Sequence, residues 1–254
     1  MRLFSTDLDG TLLGNPEGLA HFSHRWAALD PGQRPLLVYN TSRTVADTLA
    51  LIEARQLPEP DAILGSLGTE LQGGPAGSDL ALRERFRLGW DLETIEEIVG
   101  ALPGLRRQGL PTLRYKSSWL WTRARRDEIE SLERRLHASG LRVNLIYSAR
   151  YFLDIVPQHA GKGLALAWLC QRLRLPLDQV LVAGDSGHDS SMFLLPEVRG
   201  IVVENALPEL HAVALNPRTF VARRPMAEGV IEGLEHFGVL TAEMAAQPAA
   251  SAFL

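Results

Sequence analysis

The apolar positions of the chain fall into short runs separated by helix-length stretches. Leu3 to Thr6 reads as a buried strand running into Asp7-Leu8-Asp9-Gly10-Thr11, where glycine and two aspartates mark a turn. Leu36 to Tyr39 repeats the form and stops at Asn40-Thr41-Ser42-Arg43. Val45, Leu49, Ile52 and Leu57 then recur at helical spacing until Pro58 and Pro60 close the stretch. Ala62 to Leu64 is a third strand, followed by Gly65-Ser66. Toward the other end, Gly163 to Leu175 reads as a helix stopped by Pro176, and Val180 to Ala183 as a strand ending at Gly184-Asp185. Ile201 to Val203 is a further strand, and Ala227 to Phe237 the last helix. Strands alternating with helices, with polar residues gathered after the strand ends, predict an α/β fold with a Rossmann-like parallel-sheet core and a site at its carboxyl edge.

The middle of the chain breaks this alternation. Gln72 to Ser78 is linker-like, and a helix is expected near Asp91 to Val99, followed by a strand-like segment from Thr112 to Trp121. A charged helix near Arg126 to Ala138 precedes two strands, near Leu141 to Tyr147 and Tyr151 to Val156. Helices beside paired strands predict a small α+β cap domain, residues 79–156, inserted into a core formed by residues 1–78 and 157–254. Residues 79–156 carry 14 basic and 11 acidic side chains against 12 and 19 elsewhere, so a mildly basic lid faces an acidic core, as suits an anionic ligand. The stretches Gly73 to Ser78 and Pro157 to Gly161 are the expected hinges, and the Ala-rich end from Thr241 to Leu254 is expected to fray.

Composition narrows the partners. A net charge of −4 argues against a nucleic-acid or anionic-membrane surface, and no apolar stretch reaches the length of a membrane span. The single cysteine, Cys170, lies in an apolar run, which excludes a disulfide framework and suits a reducing compartment. With no secretory leader pattern at Met1 to Gly10, the expectation is a soluble, cytoplasmic protein. Of 26 basic residues only Lys116 and Lys162 are lysines, which raises the question of what a compact ammonium does at those two places.

Candidate chemistry gathers at two strand ends. Asp7 and Asp9, two apart on an extended chain, are expected to point the same way; Asp185 and Asp189, four apart, share a face if a helix begins near Ser186. Four carboxylates on one sheet edge repel unless positive charge sits among them. A divalent cation and Lys162 would supply it.

In order and context, these segments resemble the four motifs of the haloacid dehalogenase-like phosphatases. Asp7-Leu8-Asp9-Gly10-Thr11-Leu12 is similar to the first, Thr41 to the second, Lys162 to the third and Gly184-Asp185-Ser186-Gly187-His188-Asp189 to the fourth. The insert between Thr41 and Lys162 occupies the place of that superfamily's larger α+β cap. Ser5 to Thr11, Lys116 to Trp119, Leu153 to Pro157, Gly163 to Cys170 and Asn205 to Leu210 resemble the sucrose-phosphate phosphatase family, most nearly its mannosylfructose-phosphate branch.

The resemblance implies a magnesium-dependent phosphoric monoester hydrolase. Its substrate would be a phosphorylated sugar, the 6-phosphate of a fructosyl disaccharide (sucrose-6-phosphate or mannosylfructose-6-phosphate), cleaved by a monomer through an aspartyl-phosphate. Asp7 would be the nucleophile and Asp9 the general acid and then base. Mg2+ would be held by Asp7, the main-chain carbonyl of Asp9 and Asp185, with Asp189 binding through water or orienting Lys162. Thr41 and Lys162 would contact the phosphoryl group, with Ser42 the competing donor. Position 188 departs from the family, which mostly has Asn where this chain has His; the change adds a titratable group beside the site.

On the cap, alternation would put Arg114, Lys116 and Ser118 on one face as sugar contacts, and Tyr115, Ser117, Trp119 and Trp121 on the other. Gly65 to Glu70 is a second candidate sugar loop. Three rivals are weaker: Gly184-Asp185-Ser186-Gly187 resembles a serine-protease nucleophile but lacks the β-rich pattern; a glycosyltransferase leaves Lys162 unexplained; a non-catalytic phosphosugar-binding domain does not need the complete acidic set. A phosphatase of another sugar phosphate is the nearest alternative. If Lys162 must approach both a phosphoryl group and a carboxylate, Lys162→Arg should lower phosphate release by about 100-fold or more, and Lys116→Arg far less.

Overall fold

The computed structural model describes residues 1–74, 79–109, 113–214 and 216–241. Its main sheet has seven strands, β1 (Leu3–Thr6), β2 (Leu36–Asn40), β3 (Ala62–Gly65), β4 (Glu70–Gly73), and three that follow the insert. Between them run helices α1 (Pro16–Ala27) and α2 (Val45–Glu53). Local signals start both helices: Asn15 accepts from the Glu17 and Gly18 amides ahead of Pro16, and Thr44 accepts from the Asp47 amide. The insert contains α3 (Asp79–Arg83), α4 (Leu92–Gly100), β5 (Leu105–Arg107), β6 (Ser117–Trp121), α5 (Arg126–Ala138), β7 (Val143–Ser148) and β8 (Phe152–Pro157). The chain then returns with α6 (Lys162–Leu173), β9 (Val180–Gly184), α7 (Ser190–Phe193), β10 (Arg199–Val202), α8 (Pro208–Ala214), β11 (Thr219–Val221) and α9 (Met226–His236).

The main sheet has the order β11-β10-β9-β1-β2-β3-β4, parallel except for the β3–β4 pair. Residues alternate between its faces. Leu3, Val38, Leu64 and Val182 pack against α6 through Ala165, Leu166 and Leu169. Phe4, Leu37, Ile63 and Leu181 pack on the other side against Phe22 and Trp26 of α1 and Val230 and Leu234 of α9. Both faces are covered, which is why these strands read as uninterrupted apolar runs.

The second sheet is antiparallel, in the order β5-β6-β8-β7, and all its strands lie between β4 and α6. Ile95 and Val99 of α4 and Leu132 and Leu136 of α5 pack on Trp119, Leu153 and Ile155. Leu82 and Phe86, near the start of the insert, join the core cluster of the main sheet.

Three expectations change. The strand expected from Thr112 starts at Ser117: Leu113 and Lys116 close an isolated bridge around a turn, so alternation cannot be carried back to Arg114. Thr112 lies outside the described residues. Gln72 and Gly73, expected as linker, belong to β4, paired antiparallel with β3; residues 75–78 and 242–254 lie outside the described residues. The Asp185–Asp189 segment is a single 3-10 turn at Gly187–Asp189 rather than a helix starting near Ser186. No described helix is long and apolar enough to cross a membrane.

Candidate active site

The carboxyl ends of β1, β2 and β9 stop level with one another, with Thr6 opposite both Tyr39 and Ala183. The residues that follow therefore share one edge of the sheet. Beyond Thr6 the chain leaves extended geometry. The Leu8 carbonyl accepts from the Leu12 amide at 2.9 Å and the Leu13 amide at 2.7 Å, and Gly10 takes φ +80°. A Cβ at Gly10 would sit 2.5 Å from Asp185 Oδ2, so both its backbone angle and its packing require glycine. This turn separates the first pair of carboxylates, expected to point the same way: Asp7 is buried, whereas the Asp9 side chain is half exposed.

Asp7 meets its partners inside the edge. Lys162, at the start of α6 and 1% exposed, puts Nζ 2.7 Å from Asp7 Oδ1 and 2.7 Å from Asp189 Oδ1. Asn40 Nδ2 donates to the Lys162 carbonyl at 3.0 Å and fixes the start of that helix. Asp189 reaches Asp185 through backbone contacts instead of a shared helix face, because its Oδ2 accepts from the Asp185 and Ser186 amides at 2.9 and 3.0 Å. Oxygens of Asp7, Asp185 and Asp189 all lie within 4.8 Å of one another.

Three carboxylates against one ammonium leave an excess of negative charge. Burial pushes Asp7 up to about 7, with Asp189 and Asp185 adding to the effect and Lys162 opposing it. Asp185 is likewise pushed up to about 7 by burial and by Asp189. Burial alone would lower Lys162, but Asp189 and Asp7 hold its ammonium above the ordinary lysine value. An all-oxygen, doubly negative remainder suits a hard divalent cation such as Mg2+, so the donor set fits the metal that the motifs imply. The Asp9 carboxylate stands outside this group.

A cavity of about 490 Å3 opens in front of the cluster, and Asp185 belongs to both. On the main-sheet side its wall includes Asp9, Ser42, Arg43 and His188; on the insert side, Gln108, Lys116, Phe152 and Asp154. Thr41 is buried at the end of β2 and accepts from the Arg43 amide at 3.1 Å, so Ser42, rather than Thr41, lines the cavity. Arg43 grips Asp9 with two hydrogen bonds, Nε to Oδ2 at 2.7 Å and Nη2 to Oδ1 at 2.6 Å.

A second buried ion pair lies across the cavity. Lys116 Nζ is 3.4 Å from Asp154 Oδ1 and donates to the Ser42 carbonyl at 3.2 Å. Ser118 also donates to Asp154 Oδ1 at 2.5 Å, and His188 Nε2 stands 3.3 Å from Oδ2, off the line of a hydrogen bond. Burial pushes Asp154 up, but Lys116, His188 and Ser118 outweigh it and hold the carboxyl at about 2.

Sequence reasoning misses Arg43, Asp154 and Phe152. Asp154 does carry a signal, as a lone acid inside the apolar run Leu153 to Val156. Several cap candidates fall elsewhere. Arg114 stacks over Tyr115 at 5.3 Å and lines a separate cavity with Arg87 and Trp90. Trp119 is buried in the insert's own core. In the Gly65–Glu70 loop, Glu70 accepts from the Ser66 hydroxyl and the Val45 amide, away from the cavity wall.

The class follows from the fold. A haloacid dehalogenase-like hydrolase of Bacillus subtilis superposes with a TM-score of 0.65 over 94% of this chain and 93% of its own, at 15% identity. The main sheet with its inserted α+β unit is thus the haloacid dehalogenase-like fold.

Residues 1–238 match the family model for sucrose-6F-phosphate phosphohydrolase, and the chain belongs to that family of sugar-phosphate phosphatases. It is 40% identical over 245 residues to the mannosylfructose-phosphate phosphatase of Agrobacterium fabrum, covering 94% of this chain and 98% of that protein. The Synechocystis sucrose-phosphatase, solved with sucrose and phosphate, superposes with a TM-score of 0.84 at 30% identity, covering 95% of this chain and 100% of that one. Plant relatives are longer: the probable sucrose-phosphatase 2 of Arabidopsis thaliana is 34% identical over 248 residues, which are 91% of this chain and 58% of that protein.

The carboxylate cluster sets a dependence on pH. Asp7 and Asp185 ionise near pH 7 when folded but near 3.8 when unfolded, so between those values the folded state holds more protons. Stability of the metal-free protein therefore falls as pH rises from about 4 to 7. A divalent cation would bind the ionised carboxylates, so the gain in Tm on adding magnesium should be larger at about pH 8 than at about pH 5. Equal gains at the two pH values would contradict the assignment.

Proposed function

We propose that this chain hydrolyses the 6-phosphate of a fructosyl disaccharide through an aspartyl-phosphate on Asp7. The observation that carries the reading is the Lys162 ammonium fixed 2.7 Å from Asp7 beside Asp185 and Asp189, facing a cavity large enough for a sugar phosphate. An Asp7 oxygen attacks phosphorus as the bond from phosphorus to the sugar oxygen breaks. Asp9, on the cavity wall, has to leave its bidentate contact with Arg43 and take up a proton before it gives that proton to the leaving oxygen. In the second half-reaction Asp9 takes a proton from water, which attacks the phosphorus and frees Asp7. Lys162 offsets the charge on the phosphoryl oxygens, with the Thr41 hydroxyl, or that of Ser42 on the cavity wall, as the further donor. Asp7, Asp185 and the Asp9 carbonyl would hold Mg2+, which would supply further positive charge there, and Asp189 keeps Lys162 in place.

Residues 79–156 serve as the cap and 1–78 with 157–254 as the core, hinged near Pro157–Gly161. Closure excludes water from the Asp7 edge and presents Lys116, Gln108 and Phe152 to the sugars. The near full-length match to mannosylfructose-phosphate phosphatase and the likeness to a sucrose-bound phosphatase support a disaccharide phosphate as substrate. Net charge −4 and a lone buried cysteine support a cytoplasmic monomer whose partner is a small phosphorylated sugar, with no nucleic acid or membrane involved.

Magnesium-dependent phosphate release should be at least about tenfold more efficient with sucrose-6-phosphate or mannosylfructose-6-phosphate than with hexose phosphates. Asp7→Asn should lower it by about 1,000-fold or more while the protein stays folded. Equal rates on all substrates would overturn the disaccharide assignment, and unaltered turnover in Asp7→Asn would overturn the nucleophile.

A further inference from the structure

The segment Asn205 to Leu210 takes part in no step of the hydrolysis, yet it is tied to both loops that hold the carboxylates. Asn205 Nδ2 donates to the Gly10 carbonyl at 2.8 Å, and its Oδ1 accepts from the Met226 amide at 2.8 Å. The Leu207 amide donates to the Asp185 carbonyl at 2.7 Å. Two residues on, Glu209 leaves this anchored segment and reaches across to the insert. Its Oε1 accepts from the Ala149 amide at 2.7 Å and lies 3.4 Å from the Ser148 hydroxyl.

What Glu209 meets is a strained turn. Ser148 to Tyr151 joins β7 to β8, closed by the Tyr151 amide donating to the Ser148 carbonyl at 3.1 Å. Both central residues, Ala149 and Arg150, sit at φ +53°. That geometry normally calls for Asn-Gly, and neither residue here is suited to it. Such a turn holds its shape only when the surroundings fix it. In this turn the Ala149 amide points out of the hairpin ladder, and the Glu209 carboxylate is its partner. Gly187 clears the way: a Cβ there would stand 3.1 Å from Glu209 Cγ and 3.4 Å from Ser148 Oγ.

The turn also forms the outer wall of the active-site cavity, through Ser148, Ala149 and Phe152. Phe152 is 38% exposed and meets Tyr151 edge-on at 5.1 Å, leaving an aromatic surface at the rim. Asp7, Lys162 and Asp189 are buried behind the cavity and do not line it; its wall meets their cluster at Asp185. A ligand with its phosphate at Asp7 would bring only its distal part to this wall.

We infer that Glu209 is a specificity-determining positioning residue: anchored to the metal-binding loop, it fixes the Ser148–Phe152 turn as the wall that receives the second sugar of the substrate. The inference rests on the sugar-phosphatase reading proposed above. A small phosphate ester never reaches this wall, so Glu209 separates disaccharide phosphates from small esters without touching either.

The test compares the full-length wild type, Glu209→Ala and Glu209→Gln in magnesium buffer. Substrates are sucrose-6-phosphate, mannosylfructose-6-phosphate and the sugar-free p-nitrophenyl phosphate; amide hydrogen exchange is read at Ala149. Glu209→Ala should raise KM for the disaccharide phosphates about tenfold, the loss of one charge-assisted hydrogen bond, with kcat within about threefold. It should leave p-nitrophenyl phosphate kinetics unchanged and speed exchange at Ala149. Glu209→Gln keeps a carbonyl acceptor and should stay within about threefold of wild type on every readout. An unchanged KM in Glu209→Ala, an equal loss on all three substrates, or unaltered exchange at Ala149 would each overturn the inference. Failure of the wild type to hydrolyse either disaccharide phosphate would sink the sugar-phosphatase reading, while exchange at Ala149 would still decide whether Glu209 holds the turn.

Discussion

The structure turns on one buried ammonium. An unpaired lysine at 1% exposure would be neutral or would cost several kcal/mol, so Lys162 must find anionic partners on arrival. It finds Asp7 at the end of β1 and Asp189 after β9, and these come together only if β1 and β9 are neighbours and α6 packs beside them. The glycines around it follow from the same constraint. At Gly184 a Cβ would collide with the Asp189 side chain, and at Gly163 with the Ser191 carbonyl. Small residues there let the charged groups approach closely enough for their attraction to offset desolvation.

The same solution recurs across the cavity. The chain has only two lysines, and each lies in a buried pair with aspartate, Lys162 beneath the cavity and Lys116 above it. Exposed positive charge is left to arginine, as in the bidentate grip of Arg43 on Asp9. A compact ammonium fits between two carboxylates, or between a carboxylate and a main-chain carbonyl, where a planar guanidinium would need more room. The two lysines thus stand on the two sides of the cavity, one on the main-sheet side and one on the insert.

Legibility in the sequence followed burial. Strands covered on both faces, such as Leu36–Asn40 and Val180–Gly184, are apolar up to their last residue and are read to within a residue or two. The helix Pro16–Ala27 offers only a narrow apolar face, Leu19, Phe22 and Trp26, among polar neighbours, although Asn15 and Pro16 mark its start. Strands of three residues, Leu105–Arg107 and Thr219–Val221, are too short to show a period.

At the site, residues next to turns inside recognisable motifs were visible, and those brought in by the turn geometry were not. Asp9 and Arg43 meet because the chain bends at Gly10, and Glu209 meets Ala149 because a hairpin 60 residues away adopts left-handed angles. Neither contact has a local sequence signature. Alternation failed at Arg114 for a related reason, since a turn precedes Ser117 where an unbroken strand was expected.

The central claim is that Asp7, poised by Lys162, takes the phosphoryl group. Rapid acid quench of the enzyme turning over a disaccharide phosphate, followed by peptide mass spectrometry, tests it directly. The account predicts a phosphoryl group on the peptide that contains Asp7 and on no other. A phosphoryl group on a different residue, or full turnover with none trapped on Asp7 at any quench time, would contradict it.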